Sequence, residues 1–139
     1  MESIFDYTII ADFISPPLRE RIIYELSSPK KRIKALERFS HNVDLVIRSD
    51  YIYYKGKCIN DTIKIEIKKS ASECIVLSLE YQQGKKMLIE EAFDYLSYEC
   101  TVVIVVTGNW LIIKPEYESG EELFYVLRKN NEFIKFNDI

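Results

Sequence analysis

The hydrophobic period of this chain changes near residue 43, and that change does most to decide what it can fold into. Before it, apolar residues recur every three or four positions, the spacing of helices. After it they alternate or run together in short β-branched stretches, the spacing of strands. The chain therefore reads as α+β, with N-terminal helices followed by a mostly antiparallel sheet that carries one inserted helix.

The first 41 residues predict three helices. Ser3-Ile-Phe-Asp6 has the form of a capping box, and Phe5, Ile9 and Phe13 follow at four-residue spacing. Ser15-Pro16-Pro17 stops that segment and opens the next, where Leu18, Ile22, Ile23 and Leu26 form an apolar stripe. Ser28-Pro29 repeats the device as N-cap and first helical residue, leading to Ile33, Leu36 and Phe39. Beyond them, residues 43–48 and 51–54 read as short strands or a loop–strand mixture. Residues 62–68 alternate, with Ile63, Ile65 and Ile67 on one side and Lys64, Glu66 and Lys68 on the other, which predicts a strand. A further strand at 74–79 ends at Gln82-Gln83-Gly84. Residues 87–98 return to helical spacing, with Leu88, Ala92, Phe93 and Leu96 facing inward. The runs 101–106 and 110–113, joined by Thr107-Gly108-Asn109, predict a hairpin, and 123–127 and 133–136 extend the sheet. No linker divides the chain, so residues 1–139 are expected to form a single domain.

Composition narrows the classes of function. With 139 residues and 47% apolar content, the chain can bury a core without disulfides or metals. Cys58, Cys74 and Cys100 are odd in number and contain no C-x-x-C, so neither a disulfide framework nor a zinc site is expected. No basic signal region opens the sequence, and no apolar run approaches the ~18 residues of a membrane span. The expected location is the cytoplasm, with no membrane association. The net charge of −3 divides unevenly, as residues 1–69 balance to +3 and residues 70–139 to −6. Opposite charge in the two halves suits oriented protein partners, and the acidic total argues against direct nucleic-acid binding. Four scattered glycines exclude a phosphate-binding loop, so no cofactor is expected.

Each candidate site has a plain structural reading beside the functional one. His41 has the chemistry of a general base, but a histidine at a helix C-terminus is favoured by the macrodipole alone. Glu66 and Lys68 stand as the Glu-x-Lys of restriction-endonuclease-like enzymes, with Asp44, Asp50 or Asp61 as the additional Mg²⁺ ligand. The same residues also describe the solvated side of an amphipathic strand. Lys30, Lys31, Arg32 and Lys34 oppose the dipole of the helix they open, as a patch held for a partner would, and are equally tolerable as a solvated turn. Tyr51 and Tyr53, sharing a strand face, and Tyr54 have the chemistry to anchor a partner or simply to cover the sheet. The densest acidic run is Glu116, Tyr117, Glu118, Glu121 and Glu122, between two predicted strands. Charge there would steer a basic partner and the tyrosine would anchor it, whereas the plain reading is a solvating loop. Glu90, Glu91, Asp94 and Glu99 add acidity on the inserted helix.

The segments Glu73-Cys-Ile-Val-Leu-Ser-Leu, Leu88-Ile-Glu-Glu-Ala and Leu123-Phe-Tyr-Val-Leu-Arg, with Ser28-Pro-Lys-Lys-Arg, Ala35-Leu and Phe39-Ser-His, resemble small bacterial immunity proteins. Those proteins belong to contact-dependent inhibition and related toxin systems. The likeness lies in size, order of elements and acidity, and it transfers no residue role. It implies a cytoplasmic, non-catalytic inhibitor that covers a toxin's active site. The expected function is therefore immunity-type neutralisation of a cognate basic toxin, a nuclease, without metal or cofactor. The alternatives are a Mg²⁺-dependent nuclease built on Glu66 and Lys68, and a non-catalytic subunit of a larger assembly.

Overall fold

The computed structural model describes residues 6–116 and 122–129. Residues 3–5 of the predicted capping box and the strand expected at 133–136 lie outside them. Asp6 still starts the first element, its carboxylate accepting the Thr8 N–H at 3.0 Å ahead of a 3-10 helix over Tyr7–Phe13. The tighter winding moves the apolar face to every third residue. Tyr7, Ile10 and Phe13 are buried, and Ile9 turns outward.

Prolines at the first two helical positions then open α1 (Pro16–Ser27), which buries Ile22 and Leu26 with Leu18 and Ile23 packed beside them. α2 (Arg32–His41) starts three residues later than Ser28-Pro29 predicts. Residues 28–31 instead close a turn in which the Lys31 N–H donates to the Ser28 carbonyl at 3.0 Å. The buried face of α2 is accordingly Arg32, Ala35, Leu36 and Phe39, and Ile33 faces solvent. The single turn α3 (Val43–Val46) stands where a strand was expected, and only an Ile14–Ile47 bridge remains of it. A 3-10 turn, Ser49–Tyr51, leads into β1 (Ile52–Gly56), so Tyr51 precedes the strand and shares no face with Tyr53.

The largest departure is α4 (Asp61–Ser70), a helix where alternation predicts a strand. The Asn60 side chain accepts the Ile63 N–H at 2.9 Å, Asp61 sits in the first turn and Lys68 and Lys69 in the last. This is the capping and charge order that stabilises a helix. Ile63 and Ile67, four residues apart, are buried, while Ile65 is 53% exposed. Three alternating isoleucines satisfy the strand period, and two of them also satisfy the helical one.

The remaining elements are β2 (Glu73–Ser78), β3 (Lys85–Leu88), α5 (Ile89–Tyr98), β4 (Val103–Thr107), β5 (Trp110–Lys114) and β6 (Phe124–Arg128). Leu88 ends β3 and is exposed, and the Glu91 carboxylate accepts its N–H to start α5. Gly108 takes a φ of +51° in the tight β4–β5 connection, a conformation open to glycine at little cost. The six strands form one sheet in the order β1-β6-β5-β4-β2-β3, antiparallel at every pairing.

The fold is α+β, and its helices cover both faces of the sheet. The 3-10 helix and α1–α3 close over Leu77, Ile104, Val106, Leu111, Ile113, Tyr125 and Leu127. α4 and α5 close over Cys74, Val76, Val103, Val105, Trp110, Ile112, Phe124 and Val126. The sheet therefore carries two inserted helices rather than one. Every residue of β4 and β5 is buried, which explains why they read as unbroken apolar runs. No described helix is long and apolar enough to cross a membrane.

Candidate functional site

Strand register decides which loops meet. Ser78 pairs with Val103, Val103 with Lys114, and Ile113 with Tyr125. The end of β2, the start of β4, the end of β5 and the start of β6 therefore share one end of the sheet. Glu80, Glu99, Glu116 and Glu122 follow or precede those strand ends, so four carboxylates from three separate segments stand there, with Lys85 at the start of β3 and Lys57 just after β1 at the same end.

Lys114 stands at their centre. It is fully buried at the end of β5, and its ammonium donates to the Leu96 carbonyl at 2.6 Å and to the Glu99 carbonyl. The Glu122 Oε1 lies 3.4 Å away and the Phe124 ring 5.6 Å away. A cation beside the last carbonyls of a helix is favoured by their partial negative charge, and here it caps α5 from inside the protein. The Glu99 side chain folds back to accept the N–H groups of Cys100, at 2.9 Å, and Thr101, at 3.3 Å. Burial pushes the Glu99 pKa up, but the bonds from Thr101 and Cys100 together outweigh it and hold the carboxyl below its usual range.

Tyrosines line the same end. The buried Tyr95 hydroxyl lies 2.9 Å from Ser78 Oγ and donates to Glu80 Oε1 at 3.0 Å, tying α5 to the turn after β2. Burial pushes its pKa well above the ordinary phenol value; the Ser78 bond opposes this and the Glu80 bond adds to it. The Tyr81 and Tyr98 rings pack against Tyr95 at 5.4 and 5.5 Å, and Tyr98 is 69% exposed. Glu90, Glu91 and Asp94 lie on the exposed side of α5. A cleft of about 140 Å³ opens beside this end, lined by Phe93, Leu96, Phe124, Lys64, Cys58 and Glu122 among others.

Of the predicted loop, Tyr117, Glu118 and Glu121 lie outside the described residues. Glu116 is exposed, its N–H donates to Ser40 Oγ at 3.1 Å, and its carboxylate stands 4.0 Å from His41 Nε2. Glu122 turns partly inward to Lys114. No motif or spacing in the sequence marks Lys114, Tyr95, Tyr98, Tyr81 or Glu80. The one signal available was a lysine closing the apolar run Trp-Leu-Ile-Ile.

The other candidates resolve as structure. On α4, Glu66 and Lys68 are two residues apart and so face different ways. Glu66 pairs with Lys69 at 3.1 Å and Lys68 with Glu90 at 3.0 Å, which corrects the strand geometry the nuclease reading needs. Asp44 pairs with Lys55 at 3.7 Å, Asp50 with Arg48 at 2.7 Å, and Asp61 sits in the first turn of α4. Among the described residues, no three of His, Cys, Asp and Glu group to hold a metal ion. His41 lies in the last turn of α2, as its dipole favours. Arg32 is buried, its Nε donating to the Leu26 carbonyl at 2.7 Å beneath the Tyr7 ring. Tyr51 packs edge-on to Phe13 under the Arg48 guanidinium, Tyr53 packs edge-on to Trp110, and the Tyr54 hydroxyl donates to the Cys58 carbonyl at 2.5 Å. Cys74 is buried, and burial first, with Glu91 and Glu73 nearby, pushes its thiol up to about 12. Comparison with protein-family models, curated proteins and solved structures gives no match.

Proposed function

We propose that this chain is a non-catalytic, immunity-type protein that binds and neutralises a basic toxin domain, a nuclease. The observation that carries the reading is the gathering of Glu80, Glu99, Glu116 and Glu122 at one end of a rigid sheet, beside the exposed Tyr98. Carboxylates there would steer a basic partner, and tyrosines supply contact area at low entropic cost. Tyr117, Glu118 and Glu121, which lie outside the described residues, follow Glu116 in the sequence and carry the same chemistry.

The test starts with native mass spectrometry of the tagged chain captured from its host at low and moderate salt. A stoichiometric basic protein held at moderate salt is the expected result. Association of that protein is then measured with wild type and with Glu80→Lys/Asp94→Lys/Glu116→Lys. Charge reversal should slow association by about 10-fold or more at low salt and flatten its salt dependence. Unchanged kinetics remove the acidic end from the account. Mg²⁺-dependent cleavage of nucleic acid by the purified chain, abolished in Glu66→Ala, would replace the reading with the nuclease one.

A further inference from the structure

The lysine-rich start of α2 is arranged at a cost that the fold does not explain. Lys31 occupies the N-cap position and Lys34 the third helical position, where positive charge meets the positive end of the helix dipole. Arg32, between them, is accounted for by the Leu26 carbonyl and the Tyr7 ring. Lys30, Lys31 and Lys34 are exposed, and among the described residues none has a carboxylate within ion-pair distance. Two exposed apolar side chains accompany them. Tyr24, on α1, is 61% exposed with the Lys31 ammonium 5.7 Å from its ring centroid, and Ile33 is 45% exposed between the lysines.

We infer that this α1–α2 corner docks an acidic segment of a protein partner, in which carboxylates flank an apolar side chain. The three ammonium groups take the carboxylates, and Ile33 with Tyr24 takes the apolar group. Ile33 decides the class of partner, since a phosphate backbone has no use for an exposed aliphatic residue among its cations. The lysines are compact and closely spaced, and form no strip along which a nucleic acid would lie. The corner is separate from the acidic end, because α2 spans about 15 Å between Arg32 and His41.

Two measurements test this on the full chain. In the first, a fluorescent peptide, acetyl-Glu-Glu-Leu-Glu-Glu, is titrated by anisotropy beside a lysine-substituted control, oligothymidylate and phosphatidylserine vesicles. The acidic peptide should bind, about tenfold more weakly to Lys30→Glu/Lys34→Glu and severalfold more weakly to Ile33→Ser. In the second, Lys30→Glu/Lys34→Glu, which leaves Lys31 on Tyr24, should raise the melting temperature by about 1–5 °C, as charges unfavourable to the helix are removed. Absence of peptide binding, tighter binding of oligothymidylate or vesicles, or a melting temperature that does not rise would each overturn the proposal.

Discussion

Lys114 carries a charge into a place where charge is expensive, and its surroundings show how that cost is offset. Two helix-end carbonyls accept from the ammonium and the Glu122 carboxylate stands beside it, so little of the group is left unsatisfied. Removing the ammonium at its centre strands the others. Lys114→Met, similar in length and shape, should cost about 3–5 kcal/mol in urea unfolding, because it orphans two carbonyls and uncovers Glu122. Glu122→Gln should cost less than about 1 kcal/mol, since Glu122 is a third exposed and water can replace it. Equal losses would show that the ion pair, rather than the carbonyl cap, dominates. Little of this was legible in the chain, because a lysine closing an apolar run looks the same whether it faces solvent or a helix end. Only the register of β5 and the position of α5 distinguish the two.

At the scale of elements, legibility followed the uniqueness of the signal. The prolines of α1 have one helical reading, and the paired β-branched runs around Gly108 have one hairpin reading, and both are found. α4 shows the opposite case, in which isoleucines at 63, 65 and 67 satisfy the strand period while 63 and 67 satisfy the helical one as well. Capping at Asn60 and charge order from Asp61 to Lys69 decide between them, and those cues are weaker to the eye than alternation. The difference is measurable. Ile67→Ala should cost about 2–5 kcal/mol by emptying buried space, whereas Ile65→Ala should change stability by less than about 0.5 kcal/mol. A strand would make the two substitutions equally costly. The acidic end was half legible for a related reason. The run at 116–122 stands out as composition, but Glu80 and Glu99 join it only through strand order, which no local pattern encodes.

For the molecule as a whole, Glu99 shapes how stability responds to acid and Tyr95 how it responds to alkali, where the raised Cys74, Tyr7 and Tyr125 act in the same direction. The folded Glu99 carboxyl titrates below its ordinary value of 4.5, so its contribution is fully present above that value. That contribution is lost as pH falls through the lower folded value. The folded Tyr95 phenol titrates above its ordinary value of 10.0, so its contribution is complete below that value and declines as pH rises toward the folded one. Unfolding midpoints in urea across the pH range should therefore fall at both ends. Glu99→Gln should flatten the acid limb and Tyr95→Phe the alkaline one. A variant that leaves its limb unchanged removes that group from the explanation.

The pairing of β1 with β6, Ile52 against Leu127, has a consequence for how the chain is made. The β4–β5 hairpin can close as soon as its own residues have left the ribosome, and β2 can join it at once. β1 is synthesised earlier than any of these and has no neighbour in the sheet until β6 emerges last. During synthesis it therefore waits as an unpaired edge for about half of the chain's length. The sheet grows outward from its middle and is completed by joining the earliest strand to the latest, across the largest sequence separation, and so the largest loop-closure entropy, of any of its strand pairings.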